Sequence, residues 1–288
     1  MIRVAKAALL LLAFSASGAM AAEILVHDAK SQPESLAVAP DGSVYAGSAS
    51  SPMVYRIKKG AMTAESFVDA SGEGAGTFFL GQLVEGSTLW TCQLMPVPGT
   101  ATRRSSLRSF DLATGKEKLR WNLPGDNSTC NDFVVGPDKA LYISDTTNAK
   151  IYRLAPGAQS AELWMEHRLL GGIDGLTFLD GVLYVNNVFF NKLYRIPVDA
   201  SGKPGAPVDI WMDAPVRGLD GMRAANGKLF VAANGTGTIV SLTVKGDTAH
   251  VVVLRDKLDT PTGIEPAGDT LWFTERAIGK AESMPMPK

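Results

Sequence analysis

The sequence predicts an all-β fold, a six-bladed β-propeller. A short apolar strand, a tight turn and a second strand with an aromatic residue at a fixed place recur six times. The second strands read SVYAGS, TLWTCQ, ALYISD, VLYVNN, KLFVAA and TLWFTE. Their aromatics, Tyr45, Trp90, Tyr142, Tyr184, Phe230 and Trp272, follow one another at about 42 to 52 residues. A unit of that length, built only of strands, is one blade of a ring around an axis. The chain ends supply the third observation. The sixth unit runs out at Lys288 without a fourth strand, and a matching phrase, Glu23 to Asp28, stands at the other end. Pairing the two ends closes the ring and removes an exposed sheet edge.

The innermost strand of each blade is expected just before its turn, over 36–39, 81–84, 133–136, 176–179, 222–225 and 263–266. These segments are short, with small residues where strands crowd toward an axis. The turns Asp41-Gly42, Glu85-Gly86, Asp138-Lys139, Asp180-Gly181, Asn226-Gly227 and Gly268-Asp269 mostly carry residues that accept positive φ. Third strands repeat a Tyr-Arg phrase at Tyr55-Arg56, Tyr152-Arg153 and Tyr194-Arg195, read as Tyr inward and Arg toward solvent. Outer strands read ESFVDA, LRWNLP, ELWMEH, DIWMDA and HVVVLR.

The chain has 288 residues and a formal net charge of -1. That balance gives no footprint for nucleic acid or an anionic membrane surface. Arg3, Lys6, an apolar run from Ala7 to Phe14 and Ala19-Met20-Ala21 read as a signal peptide over residues 1–21. Residues 22–288 are then one exported propeller domain, periplasmic or secreted, expected to be a monomer with no membrane span after cleavage. Cys92 ends the second strand of blade two and Cys130 precedes the inner strand of blade three. Both positions lie at one face of adjacent blades, so a disulfide is expected.

Ten or eleven residues before each fixed aromatic stand Glu34, Leu80, Asn131, Asp174, Asp220 and Thr262. An isolated Asp-Gly pair such as Asp174-Gly175 or Asp220-Gly221 is commonly a turn. Here the hairpin turns already occupy the other end of the same strand, so the acids share one register at one face. Three carboxylates converging on one axis need a cation or protonation. Oxygen ligands suit a hard divalent ion, Ca²⁺ first, with Mg²⁺ or Mn²⁺ next and Zn²⁺ last for want of Cys or His. The three histidines, His27, His167 and His250, fall in outer strands, which argues against a Ser-His-Asp triad.

These residues resemble the senescence-marker-protein, gluconolactonase and luciferin-regenerating-enzyme family of six-bladed propellers. The matching phrases are Pro33-Glu34-Ser35-Leu36, Asn131-Asp132-Phe133 with Gly136-Pro137-Asp138, Asp174-Gly175-Leu176 and Asp220-Gly221-Met222. The resemblance covers nearly all of the mature chain. It implies one divalent metal held by Glu34, Asp174 and Asp220, with Asn131 near metal and substrate, and hydrolysis of lactones or related esters. Asp174 stands where many members carry Asn. Thr129, a candidate substrate contact, stands where sugar-lactone members commonly carry Arg, which argues against an aldonolactone substrate.

The connection from about Gln93 to Ser106 in blade two returns to the metal face and is a candidate lid. Its Arg103 and Arg104 are read either as contacts for an anionic substrate or as solvated loop charges. Asn187, Phe189 and Phe190 stand on the corresponding connection of blade four, Asn187 as a candidate substrate contact and the aromatics lining the pocket or packing on a neighbouring blade. The first functional expectation is a metal-dependent hydrolase of lactones or cyclic esters, with Asp220 as the general base. The alternative is a non-catalytic propeller that binds a small molecule or a protein partner. A lyase of the streptogramin-linearising kind is disfavoured, because no histidine is placed in the channel.

Overall fold

The computed structural model describes residues 21–287, so the segment read as a signal peptide lies outside the described residues but for Ala21. Twenty-four strands and three short 3₁₀ turns make up the described chain. They fall into six meanders of four antiparallel strands. The inner strands are Pro33–Val38, Phe78–Glu85, Cys130–Val135, Ile173–Leu179, Leu219–Ala225 and Pro261–Ala267, in blades one to six. Each inner strand contacts those of the blades before and after it, and the sixth returns to the first. Blades four and five are also joined at their outer edges into one eight-stranded sheet. There Trp211 and Met212 pair in parallel with Thr248 and Ala249.

The last blade closes as the chain ends predict. Strand Glu23–Leu25 pairs antiparallel with Lys280–Pro285, in the register Glu23 to Glu282, Ile24 to Ala281 and Leu25 to Lys280. An ion pair between Lys280 and Glu23 lies along this seam. The two-residue turns behave as their residues require. Asp180 and Gly181 take φ of 51° and 78°, and Asn226 and Gly227 take 50° and 72°. Two successive left-handed residues match the twist of the strands they join.

Strand alternation sends side chains to both faces of each blade, and the apolar ones meet between blades. The core is therefore six clusters, one in each gap. Each fixed aromatic packs toward the following blade, Tyr45 with Phe79 and Phe110, Trp90 with Phe133 and Ile143, and so on to Trp272 with Leu36 and Tyr55. The third-strand tyrosines Tyr55, Tyr152 and Tyr194 are buried. Their neighbouring arginines are not free in solvent. Arg56 pairs with Glu65, Arg153 with Asp138 and Glu162, and Arg195 with Asp247.

Two expectations are corrected. Every inner strand begins about three residues earlier than its apolar run suggests, because each contains a bulge near its start. Register breaks fall between Pro33 and Ser35, Phe79 and Gln82, Cys130 and Phe133, Ile173 and Leu176, Leu219 and Met222, and Pro261 and Ile264. The candidate lid of blade two is no loose loop. Gln93 pairs with Ser106, and pairing continues through Leu94, Met95 and Pro96 to Arg103. Buried hydroxyls hold this extension, Ser106 donating to Gln93 Oε1 at 3.3 Å and Ser105 meeting Ser128 Oγ at 3.0 Å. Only residues 97–102 remain as a turn.

Cys92 and Cys130 form a disulfide that ties blade two to blade three, with Cα atoms 5.3 Å apart and a sequence separation of 38. Closing a loop of that length restricts the unfolded chain by about 4 kcal/mol in the chain-entropy treatment. Replacing both cysteines by alanine is expected to lower unfolding free energy by up to about that amount in urea titrations. Two free thiols in protein from an oxidising compartment would rule the bond out.

Candidate metal centre

The six bulges decide what faces the axis. A bulge puts two residues opposite one and re-aims a side chain. At equivalent places the bulges carry Glu34, Leu80, Asn131, Asp174, Asp220 and Thr262. The glycines beside several of them answer a different need from turns. A Cβ on Gly175 would lie 2.6 Å from the carbonyl oxygen of Asp220, and one on Gly221 would lie 2.5 Å from that of Thr262. Neither glycine has positive φ. The Asp-Gly pairs thus mark close approach of neighbouring inner strands.

Glu34, Asp174 and Asp220 are buried, and one oxygen from each lies within 4.8 Å of the others. That span fits ligands shared by a Ca²⁺-sized ion at about 2.4 Å each. Glu34 Oε2 is buried without a hydrogen-bond partner. Asp220 Oδ2 accepts a hydrogen bond from Asn234 Nδ2 at 2.7 Å. Burial pushes all three carboxyls well above the usual range, and the acids reinforce one another, Asp174 acting on Glu34, Asp220 on Asp174 and Glu34 on Asp220. An orphaned carboxylate oxygen and a charge cluster without a paired cation both fit a hard divalent ion held by oxygen ligands.

The backbone under each of the three acids is pinned by the blade before it. Ser144, Asn186 and Thr274 occupy one register, two residues after the fixed aromatics of blades three, four and six. Ser144 Oγ accepts from Asp132 N at 3.0 Å and donates to Asp174 O at 3.1 Å. Asn186 Oδ1 accepts from Gly175 N at 2.9 Å, and its Nδ2 donates to Asp220 O at 2.5 Å. Thr274 Oγ1 accepts from Gly263 N at 2.7 Å and donates to Glu34 O at 3.3 Å. Each side chain satisfies a bulge N–H in its own blade and a carbonyl in the next, so the three acids are preorganised through buried hydrogen bonds.

The other candidate residues divide. Asn131 stays beside the centre, where its amide favours the charged form of Asp174 and its Nδ2 donates to Thr146 Oγ1 at 3.1 Å. Thr129 meets Thr147 Oγ1 at 2.7 Å, and its N–H donates to Asp145 Oδ1 at 2.9 Å. Arg103 lies over the Phe78 ring at 4.9 Å and donates to Gly76 O, while Arg104 pairs with Asp126. Asn187 is corrected as a substrate group. Its Nδ2 donates to Gly171 O and Leu169 O, and its Oδ1 accepts from the N–H groups of Phe189 and Phe190. Those four bonds fill the amide, which braces a turn. Phe189 and Phe190 are exposed rather than packed into a neighbouring blade.

Sequence reasoning gave no role to five residues, Arg276, Arg223, Glu265, Asn234 and Asp132. Arg276, at the metal face of blade six, lowers the proton affinity of all three acids by its charge and forms no ion pair among the described residues. Lower in the channel, Arg223 donates to both Asp132 oxygens at 2.6 and 3.0 Å, to Glu265 Oε2 at 3.2 Å, and to the carbonyls of Met222 and Gln82. All five guanidinium N–H groups are used, so Arg223 is a strut across the channel. Burial lifts Glu265 to about 7, against the lowering effect of Arg223. A count of seven residues back from Phe230 and Trp272 lands on Arg223 and Glu265, which could have found them. Asn234 carried no comparable signal, and Asp132 stood in the Asn131-Asp132-Phe133 phrase without an assigned role. The histidines stand apart from the centre, with His27 stacked on Tyr55, His167 accepting from Leu169 N and His250 paired with Asp213. A cavity of about 760 Å³ lies at the hairpin-turn face, beside Asp138, Arg153 and Trp164, and does not include the acids.

Residues 19–50 match the family described as strictosidine synthase-like, N-terminal. No curated protein sequence is significantly similar to the chain. A gluconolactonase from Xanthomonas campestris superposes with a TM-score of 0.70 at 17% identity, over 93% of this chain and 90% of that one. Regucalcin, a calcium-binding protein from Agrobacterium tumefaciens, superposes at 0.66 and 18% identity, over 91% and 95%. Virginiamycin B lyase from Staphylococcus aureus superposes at 0.65 and 16% identity, over 93% and 99%. At such identities the likeness shows the fold, an all-β propeller shared along nearly the whole of each chain.

Proposed function

We propose that this chain is an exported, divalent-metal-dependent hydrolase of lactones or related cyclic esters. The observation that carries the reading is the convergence of Glu34, Asp174 and Asp220 on one axis, with a buried oxygen left unpartnered. The similarity in fold to a gluconolactonase and to a calcium-binding propeller supports it. A divalent ion there supplies Lewis acidity and balances negative charge developing on the substrate carbonyl. The chain's residues do the rest. Asp220, oriented by Asn234, takes a proton from the attacking water. The water oxygen bonds to the carbonyl carbon, the ring C–O bond breaks, and the proton passes to the departing alkoxide, leaving a hydroxy acid. A lyase reading has less support. The inactive Staphylococcus aureus lyase carries a His-to-Ala change, and no histidine here lies near the acids. The Cys92–Cys130 bond and the basic-then-apolar N-terminus favour an oxidising compartment.

The test is a lactone and ester panel run with and without chelator, alongside metal analysis and melting curves. The unfolded chain loses carboxyl protons near pH 4 or so, whereas the ion-free folded chain holds those of Glu34, Asp174 and Asp220 to higher pH. Between those limits the folded state binds more protons, so its stability falls as pH rises. Chelated protein is therefore expected to melt lower at about pH 8 than at about pH 5, and Ca²⁺ to raise melting more at the higher pH. Melting indifferent to Ca²⁺ at both would sink the metal centre. Metal binding without turnover of any lactone would leave a non-catalytic propeller.

A further inference from the structure

Phe189 and Phe190 stand on the turn after strand Val182–Asn187, at the metal face, and are 70% and 65% exposed. The other large exposed apolar residues, such as Trp211, Leu163 and Val253, lie on outer strands or at the turn face. Exposing two adjacent aromatic rings is unfavourable, and a loose turn would fold them away. This turn is held instead. Asn187 Oδ1 accepts from both Phe N–H groups, at 3.1 and 2.9 Å, and Val188 N donates to Gly172 O at 3.0 Å. Asn191, at the far end, accepts from Gly218 N at 2.7 Å. The rings are displayed by a rigid platform.

The platform is continuous with the metal centre. A Cβ on Gly172 would lie 2.5 Å from Phe189 Cδ2, so the ring rests directly on a residue two positions before Asp174. Gly172 N donates to Thr146 O at 3.0 Å, and Thr146 Oγ1 donates to Ile173 O at 2.6 Å while accepting from Asn131 Nδ2. Apart from Arg276, the polar side chains nearest the rings have internal partners. Asn187 is filled, Thr129 faces Thr147, and Arg104 faces Asp126. Beside the acids and the Arg276 charge, the rim offers an incoming molecule an aromatic surface.

We infer that Phe189 and Phe190 form an apolar subsite for the side arm of the substrate, so that the preferred substrates are lactones bearing an alkyl or aryl arm rather than polyhydroxylated sugar lactones. The chemistry rests on the hydrolase reading; the subsite rests on the rim geometry alone. The reacting carbonyl would sit over Glu34, Asp174 and Asp220 while the arm lies across the two rings.

The test compares γ-lactones with a methyl or a hexyl side chain, together with glucono-δ-lactone, in the full Ca²⁺-loaded protein. The same hexyl and methyl arms on non-hydrolysable γ-lactams give binding by calorimetry. The hexyl lactone is expected to be preferred. Phe189→Ala with Phe190→Ala should lower the hexyl-to-methyl ratio of kcat/KM by about tenfold or more. Phe189→Leu with Phe190→Leu should restore most of that preference, and melting should separate any loss of fold. An unchanged ratio in the alanine pair, equal lactam affinities, or faster turnover of glucono-δ-lactone overturns the subsite. Robust turnover with no hexyl preference leaves the hydrolase and removes the subsite. A Phe-dependent hexyl-lactam preference without turnover of any lactone does the reverse.

Discussion

Deleting residues 23–28 is expected to destabilise the protein by about 5 kcal/mol and to promote aggregation. Ile24 and Val26 are buried in the gap between blades six and one. Losing two such side chains costs about 1.5 to 3 kcal/mol each. Val26 N also donates to Gly279 O at 2.8 Å, and the strand covers the edge of Lys280–Pro285. An uncovered edge is a template for pairing with another copy. For a chain of this size, 5 kcal/mol or so corresponds to a fall in Tm of about 10 to 20 °C. Thermal melts and light scattering of the mature and truncated proteins test this. A truncated protein that melts with the full one would show that the ring does not depend on its closing strand.

Asp220→Asn is expected to keep the fold and to lower lactone turnover by about 10²- to 10⁴-fold, the range for removing a positioned acid-base group. The amide matches the carboxyl in size, and the backbone at this position is held by Asn186 from blade four. Ion affinity should weaken, because one of three ligand charges is lost. Activity measured at saturating Ca²⁺ therefore separates the two roles. Loss of turnover at full occupancy marks Asp220 as the base. Full turnover at full occupancy keeps the ion and moves the base elsewhere. Asn234→Ala should act in the same direction with a smaller effect, because it frees the carboxyl that Asn234 orients.

Much of this was legible from the chain because a ring repeats its registers. Fixed aromatics mark each second strand, and counting back from them finds Glu34, Asp174 and Asp220. The three acids lie far apart in sequence yet at one place in their blades, so closing the ring brings them together. The same logic matched Glu23 to the last blade and Cys92 to Cys130.

Contacts that depend on how one blade leans on another were not legible. The bulges shift no periodic pattern strongly, so inner strands looked shorter than they are. Arg223 and Asp132 are 91 residues apart and meet only across the channel. Arg103 and Arg104 looked like loop charges because Pro98 and Gly99 hid a continuing hairpin. Asn187 looked open to substrate because its partners, Gly171 and Leu169, lie in the preceding connection.

The sequence by itself determined which residues can reach the axis, since strand period and repeat length set each residue's place within its blade. The tertiary structure decided which of those residues are left with unmet bonding capacity. A side chain's partners come from turns, connections and blades that only the folded ring brings together, and those partners fill Asn187 and Arg223 while leaving Glu34 Oε2 open.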